Sequence, residues 1–143
     1  MFDLLTIGEV LWDLFPEGKR LGGATFNLAF HARQLGLEAV SVSRVGSDPL
    51  GKEILTEADG LGLPREHIQV DPTLPTGTVT VELDNAGKPT FTITDNVAWD
   101  AIAHISEINE ALTEAKAIAF GSLAQRNVTS RETIRQVLAS STA

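Results

Sequence analysis

Two short apolar runs, each followed by a glycine, place the strongest constraint on the fold of this chain. Leu4–Ile7 is followed by Gly8, and residues 117–120 are followed by Gly121. Continuous apolar runs of this length are typical of strands that are buried on both faces of a parallel sheet. Ligand-binding groups in such sheets lie at the strand ends, so the residues after these runs are candidates for function.

Helical segments alternate with the predicted strands. Apolar residues recur at helical spacing across residues 26–35, and Gly36 is placed to end that helix. Residues 39–45 alternate as a second strand, and the following Asp48-Pro49 is typical of a helix start, with the helix extending to about Leu61. The order of strands and helices predicts an α/β fold.

A hairpin interrupts this alternation. Residues 78–83 and 89–94 are rich in β-branched residues, and the turn between them contains Asn85 and Gly87. The alternation resumes with the second apolar run and a final helix, which residues 129–132 open with a capping box. A strand would come next in this order, so we expect the chain to be a truncated portion of a larger α/β domain.

Composition argues against several classes of ligand. The chain has 19 acidic and 11 basic residues, and its net charge of -8 disfavours nucleic acid and anionic membranes as partners. It has no cysteine, and its three histidines are far apart, so we expect no metal site. The sequence shows no secretory leader and no membrane-spanning run, which predicts a cytoplasmic location.

Gly22 and Gly23 precede the first predicted helix, and Asn27 lies one turn into it. Glycines let a ligand approach the backbone closely, and a helix start offers free N–H groups. The Asn side chain can both donate to and accept from a hydroxyl. This pattern favours a site for an oxygen-rich ligand, and the alternative is a plain glycine turn with a solvated Asn27.

Asp13 is a carboxylate in a mostly apolar segment shortly after the first strand. It could accept hydrogen bonds from two hydroxyls of a sugar, or it could cap a turn. Trp12 and Phe15 could stack on a sugar face, although core packing is the more common role of such residues.

Residues 46–53 come close to the phosphate-binding P-loop pattern without matching it. Glu53 stands where that motif needs Ser or Thr, and Pro49 removes a backbone N–H that would contact phosphate. No G-x-G-x-x-G follows any predicted strand either. Neither type of nucleotide-binding loop is therefore predicted.

These segments resemble the ribokinase-like carbohydrate kinases of the PfkB family, over nearly the whole chain. Residues 45–51 are similar to the family's V-G-x-D-x-x-G segment, and Asp13 stands where its sugar-binding aspartate lies. Thr25 departs from the family's first signature, which usually has Gly, Ala or Pro at that position. The residues that fit the signature are Gly22, Gly23, Asn27, Ala29, Gly36 and Gly46.

The resemblance implies Rossmann-like layers of helices and sheet, with an inserted β-hairpin lid. Residues 1–143 would form a single N-terminal portion of a ribokinase-like domain, with lid segments at about 9–21 and 76–100. Subunits would form a homo-oligomer through the lid hairpin or, alternatively, through an exposed sheet edge.

The resemblance also assigns the substrate-binding residues. Contacts to sugar hydroxyls are implied for Asp13, Gly22, Gly23 and Asn27. Arg126 is expected near the reacting end of the sugar.

Residues 96–100 and 120–126 look most like the fructokinase branch of the family. This implies ATP-dependent phosphorylation of a sugar hydroxyl, with fructose as the expected sugar and with ATP and magnesium as cofactors. The family's catalytic aspartate lies in a Gly-Ala-Gly-Asp segment that this sequence does not contain. We therefore assign no catalytic residue and do not expect the chain alone to bind ATP.

Two alternatives stay open at this level. The chain could be a non-catalytic, truncated module that binds sugar or self-associates, because an incomplete sheet leaves an edge and an apolar face uncovered. It could also be a complete small enzyme that takes its base from Asp48, Asp95 or Asp100. Roles in caps and turns are favoured for these three residues.

Overall fold

Two four-stranded sheets organise the computed structural model, which describes residues 1–141. The strands are β1 (Leu4–Ile7), β2 (Leu11–Phe15), β3 (Gly18–Gly22), β4 (Ala39–Gly46), β5 (Ile68–Asp71), β6 (Thr78–Leu83), β7 (Pro89–Ile93) and β8 (Ile118–Phe120). The α-helices are α1 (Ala24–Gln34), α2 (Pro49–Gly60), α3 (Ser106–Glu114) and α4 (Val128–Ser140). No helix in this range is long and apolar enough to span a bilayer.

The first sheet is parallel, with the strand order β5-β4-β1-β8, and helices cover both of its faces. On one face, Phe26 of α1 and Ile54 of α2 belong to one buried apolar cluster. On the other face, Leu5 of β1 shares a cluster with Ile108 of α3 and Ile134 of α4. This layering confirms the α/β fold predicted from the apolar runs.

The second sheet, with the strand order β3-β2-β6-β7, contains the predicted hairpin. β6 and β7 pair antiparallel, with Val81 opposite Phe91. β3 is not predicted from the sequence, because its residues Gly-Lys-Arg-Leu-Gly include no β-branched or aromatic side chain. Antiparallel pairing with β2 makes it a strand, and β2 in turn pairs in parallel with β6. Residues from both expected lid segments therefore belong to one sheet.

The start of α4 differs from the predicted capping box at residues 129–132. The helix begins at Val128, and the Asn127 side chain accepts a hydrogen bond from the Thr129 N–H at 3.0 Å. Asn is one of the preferred N-cap residues, and because it precedes Thr129 the helix starts earlier than predicted.

The mostly polar helix α3 is also absent from the sequence prediction. It buries Ile108, Ala111 and Leu112 against the core. Three apolar positions in a short segment give a weak periodic signal, so tertiary packing decides that this segment is helical.

The turn between β4 and α2 joins the two sheets. Asp48 caps α2 by accepting from the Gly51 N–H at 2.8 Å, and it accepts from the Thr76 N–H at 2.8 Å and the Thr76 hydroxyl at 2.6 Å. Burial opposes ionisation of Asp48, but the hydrogen bonds from Thr76 and Gly51 hold its pKa below the usual value. The Gly46 N–H also donates to the Thr76 hydroxyl, at 2.9 Å. These contacts confirm a structural turn.

Gly51→Ala should destabilise the fold, because the new Cβ would overlap the carbonyl oxygen of Gly46, a backbone atom. We expect the free energy of unfolding to fall by about 2–3 kcal/mol, measured by urea denaturation with circular dichroism. Gly60→Ala, at the other end of α2, is the matched control, because no atom lies within 4 Å of its Cβ. It should stabilise the protein by about 0.5–1 kcal/mol. Equal effects of the two substitutions would contradict this account.

Candidate functional site

Asp13 lies in β2 as a half-buried carboxylate. Its side chain has no hydrogen-bond or ion-pair partner within residues 1–141, and burial raises its pKa above the usual value. Its Oδ2 packs against Gly22, where any added Cβ would overlap it. The structure thus brings Asp13 and Gly22 together and leaves the carboxylate as a free acceptor.

Gly23 joins β3 to α1 in a conformation that favours glycine. Its φ is 110°, and a Cβ there would overlap the carbonyl oxygen of Glu9. Glu9 is buried and holds the start of α1, because its Oε1 accepts from the Ala24 N–H at 3.0 Å and its carbonyl accepts from the Thr25 hydroxyl at 3.2 Å. Glu9 was not among the residues predicted from the sequence, although a carboxylate directly after Gly8 is a signal that could have found it.

Asn27 lies one turn into α1. Its backbone N–H donates to the Gly23 carbonyl at 2.9 Å. Its side chain is exposed and has no hydrogen-bond partner in the described part of the chain. The four residues predicted to contact a sugar are therefore grouped around the junction of β2, β3 and α1, with the polar groups of Asp13 and Asn27 free.

Trp12 and Phe15 lie on opposite faces of β2, because side chains alternate along a strand. Trp12 is buried, and its Nε1 donates to the Leu50 carbonyl at 3.0 Å. Phe15 packs against the small apolar cluster of the second sheet, and the Arg20 guanidinium lies 4.6 Å from its ring centre. Packing is therefore the observed role of both rings.

Arg126 is held by several groups at the end of a short 3-10 helix after β8. Its Nε and Nη2 each donate to a carboxylate oxygen of Asp100 at 2.8 Å, and Nη2 also donates to the Thr94 carbonyl at 2.7 Å. Nη1 lies 3.2 Å from Asp95, and the guanidinium stacks 4.2 Å from the ring centre of Trp99. The hydrogen bond to Asp100 raises the Arg126 pKa further, so the charge is permanent.

A cleft of about 300 Å³ opens beside Arg126. Asp13, Gly22, Gly23 and Asn27 do not line it, so the structure does not bring Arg126 into the group that surrounds Asp13. The residues that line the cleft are Asp95, Asn96, Asp100, Arg126 and Asn127.

Strand register relates this cleft to Asp13. Asp13 is paired with Val79 of β6, which is paired with Ile93 at the end of β7. Neighbouring strands are about 4.8 Å apart, so the backbones of Asp13 and Ile93 are about 10 Å apart. Thr94, which contacts Arg126, directly follows Ile93.

The three aspartates considered as alternative bases all have partners of their own. Asp48 caps α2, Asp100 is buried in its ion pair with Arg126, and Asp95 faces Arg126 at the surface. The contact of Asp48 agrees with the cap role favoured from the sequence, whereas the contacts of Asp95 and Asp100 are ion pairs with Arg126.

The described residues do not fit magnesium or the phosphates of a nucleotide. Residues 1–141 contain no group of three or more His, Asp or Glu side chains that could hold a metal ion. In the turn that resembles a P-loop, the N–H groups of Gly46 and Gly51 are used by Thr76 and Asp48. We therefore assign no step of ATP chemistry to these residues.

Solved structures of sugar kinases share this arrangement of sheets. The structure of a Pyrococcus horikoshii protein described as an uncharacterized sugar kinase matches with a TM-score of 0.84 and 30% identity, over 95% of this chain and 48% of that chain. Another structure of that protein is in complex with ATP. A fructokinase of Vibrio cholerae in apo form matches with a TM-score of 0.80 and 26% identity, over 98% of this chain and 50% of that chain. The fold is that of the ribokinase-like sugar kinases.

Sequence comparison assigns the family. A profile described as pfkB family carbohydrate kinase matches residues 15–141, and the chain belongs to this family. The same P. horikoshii protein is 33% identical over 147 aligned residues, which cover 94% of this chain and 47% of the relative. A fructokinase of Vibrio alginolyticus is 31% identical over 106 residues, which cover 71% of this chain and 34% of the relative. The chain thus spans about half the length of the P. horikoshii relative.

Arg126→Lys should destabilise the protein, because Lys cannot reproduce the bidentate contact with buried Asp100 or the stacking on Trp99. We expect the free energy of unfolding to fall by about 2–4 kcal/mol in urea denaturation. Arg135→Lys is the matched control, since Arg135 pairs with Glu132 on the exposed surface of α4, and it should change stability by less than about 0.5 kcal/mol. A similar loss of unfolding free energy in both variants would show that the buried pair with Asp100 stabilises the protein no more than an exposed ion pair does.

Proposed function

We propose that this chain provides the sugar-binding half of an ATP-dependent sugar kinase, with fructose as the sugar. The observation that carries the proposal is the half-buried carboxylate of Asp13, which packs against Gly22 and has no partner within residues 1–141. Removing a carboxylate from water without a partner is costly, so such a group is suited to a ligand that supplies hydrogen-bond donors. Sugar hydroxyls are donors of this kind.

Each remaining group has a defined task in this proposal. Gly22 carries no side chain, so the Asp13 carboxylate can pack against its backbone, and Gly23 likewise leaves room for the Glu9 carbonyl. Asn27 can donate to one hydroxyl and accept from another. Glu9 does not contact the sugar in this proposal, but holds the start of α1 in place through its bond to Ala24. Arg126 would lie near the reacting end.

The second sheet acts as the lid in this proposal, because it carries Asp13 on β2. Strands β2, β3, β6 and β7 would then close over the sugar as one unit, while Val97 and Trp99 stay packed in the core of the first sheet. The Trp12 Nε1 bond to the Leu50 carbonyl and the Asp48 bonds to Thr76 attach this unit to the first turn of α2.

Phosphoryl transfer requires a base for the attacking hydroxyl and groups that stabilise the charge on the phosphoryl oxygens. By resemblance, the base is the aspartate of a Gly-Ala-Gly-Asp segment, which the 143 residues do not contain. ATP and magnesium would be bound by that further part of the kinase. We therefore assign sugar recognition to this chain, and phosphoryl transfer to that further part of the kinase.

Asp13→Asn should weaken fructose binding by about tenfold to a hundredfold, because hydroxyls lose a charged acceptor. Isothermal calorimetry measures this, with Glu17→Gln as the control, since Glu17 is an exposed carboxylate in the turn that follows β2. Burial raises the pKa of Asp13, so its ionisation costs stability at neutral pH and the Asn variant should be at least as stable as the wild type. Unchanged affinity for every sugar tested would overturn the assignment.

The same pKa direction sets the pH dependence of binding. Wild-type affinity for fructose should fall as the pH drops through the raised pKa of Asp13, because protonation removes the negative acceptor. The Asp13→Asn variant should show no such loss over the same range. Calorimetric titrations at a series of pH values compare the two proteins, and parallel losses in both would exclude Asp13 as the titrating group.

A second candidate function is self-association through the lid, with or without sugar binding. Alternation along β2 and the register of β6 with β7 place Leu11, Phe15, Val79, Phe91 and Ile93 on the face of the second sheet that also carries Asp13. Phe91 is 60% exposed on this face, and Ile93 is 38% exposed. An apolar face of this kind favours an interaction surface. We propose pairing through it and not through β8, which has only three residues.

Phe91→Glu should convert a dimer of the chain to monomers, because it places a charge on the apolar face that forms the proposed contact. Sedimentation velocity over a range of concentrations measures the change. Val128→Glu is the matched control, since Val128 is similarly exposed, at 58%, but lies at the start of α4. A monomeric wild type, or an equal effect of both substitutions, would contradict pairing through the lid.

A further inference from the structure

The guanidinium of Arg126 has almost no hydrogen-bonding capacity left for a ligand. Of its five N–H groups, three donate to Asp100 and to the Thr94 carbonyl. The remaining nitrogen, Nη1, faces Asp95 at 3.2 Å. Its flat face is covered by the ring of Trp99. An anionic group on a sugar would therefore have little access to the N–H donors of Arg126.

The lining of the cleft beside Arg126 carries more negative than positive charge. Asp95 and Asp100 provide two carboxylates against one guanidinium, and the other lining residues, Asn96 and Asn127, are neutral. A carboxylate or phosphate in this cleft would be repelled. Neutral hydroxyls, in contrast, could donate hydrogen bonds to the Asn and Asp oxygens.

A sugar bound at Asp13 lies within electrostatic reach of this cleft. The register across β2, β6 and β7 separates the backbone of Asp13 from that of Ile93 by about 10 Å, and Thr94 and Asp95 follow directly. The screening length in physiological salt is about 8 Å, so a charge on the far side of a sugar would be felt by Asp95 and Arg126.

The two carboxylates differ in how firmly they are held. The Asp100 side chain is 4% exposed and pairs with two nitrogens of Arg126, so the fold depends on it. Asp95 is 83% exposed and makes a single contact. Removing the charge of Asp95 can therefore change the electrostatics of the cleft without removing a buried ion pair.

We propose that Asp95 is a specificity-determining residue that restricts this site to neutral sugars by blocking the last free nitrogen of Arg126. The inference rests on the proposed sugar site and adds the class of sugar that it accepts. Sugar acids and sugar phosphates are excluded by Asp95, while fructose and other uncharged sugars are admitted.

Asp95→Asn tests this inference in calorimetric titrations with fructose and with gluconate, a sugar acid, at low salt. The ratio of gluconate to fructose affinity should rise by about tenfold in this variant, because one like charge is removed and the remaining amide oxygen holds Nη1 less strongly than a carboxylate does. Glu17→Gln removes one charge from the turn between β2 and β3, away from Arg126, and should leave the ratio unchanged. In 1 M salt, where the screening length is about 3 Å, the effect of Asp95→Asn should largely disappear.

The outcomes separate this inference from the proposed function. Wild-type protein that binds gluconate as tightly as fructose, or an Asp95→Asn ratio equal to that of Glu17→Gln, overturns the role of Asp95 and leaves the sugar site intact. Wild-type protein that binds no fructose overturns the proposed function, and the inference with it.

Discussion

The first turn of α2 is the point on which the arrangement of the two sheets depends. Asp48 at its N-cap binds Thr76, from which the chain enters β6, and the carbonyl of Leu50 accepts from Trp12 of β2. β2, which carries Asp13, and β6, which pairs with β2, are therefore both attached to the first turn of α2. The Asp48 contacts are short and partly buried, so together with the packing of Trp12 in the apolar core they hold the second sheet against the first.

The charged groups of the chain differ in how far they are partnered. Arg126 and Asp100 satisfy one another, and Asp48 is saturated by backbone and hydroxyl donors. Glu9 holds the start of α1 through Oε1 and its carbonyl, while its buried Oε2 has no hydrogen-bond partner among the described residues. Asp13 is half-buried without such a partner in residues 1–141. A buried polar group without a partner is costly in a folded protein, and this contrast is why ligand recognition is assigned to Asp13 and not to the better-connected carboxylates.

The parts of the fold that could be predicted are those with local signals. β1 and β8 are apolar runs, β4 alternates, α2 begins with Asp48-Pro49, and the turn of the β6–β7 hairpin contains Asn85 and Gly87. β3, with Lys19 and Arg20 at its centre, has no such signal, because its pairing with β2 is what makes it a strand. The predicted start of α4 is misplaced for a different reason, because two local signals lie next to each other. Both the capping box at residues 129–132 and Asn127 can begin a helix, and Asn127 is the N-cap in the structure.

The sequence by itself determined the α/β class, the glycine pair before α1 and the presence of carboxylate, amide and guanidinium groups that suit a sugar kinase. Only the tertiary structure decided which of these groups are free. Asp13 packs on Gly22 without a partner, while Arg126 is occupied by Asp100, a residue 26 positions away in the chain. The physical reason is that local preferences act over a few residues, whereas desolvation and ion pairing depend on which distant segments the packing brings together.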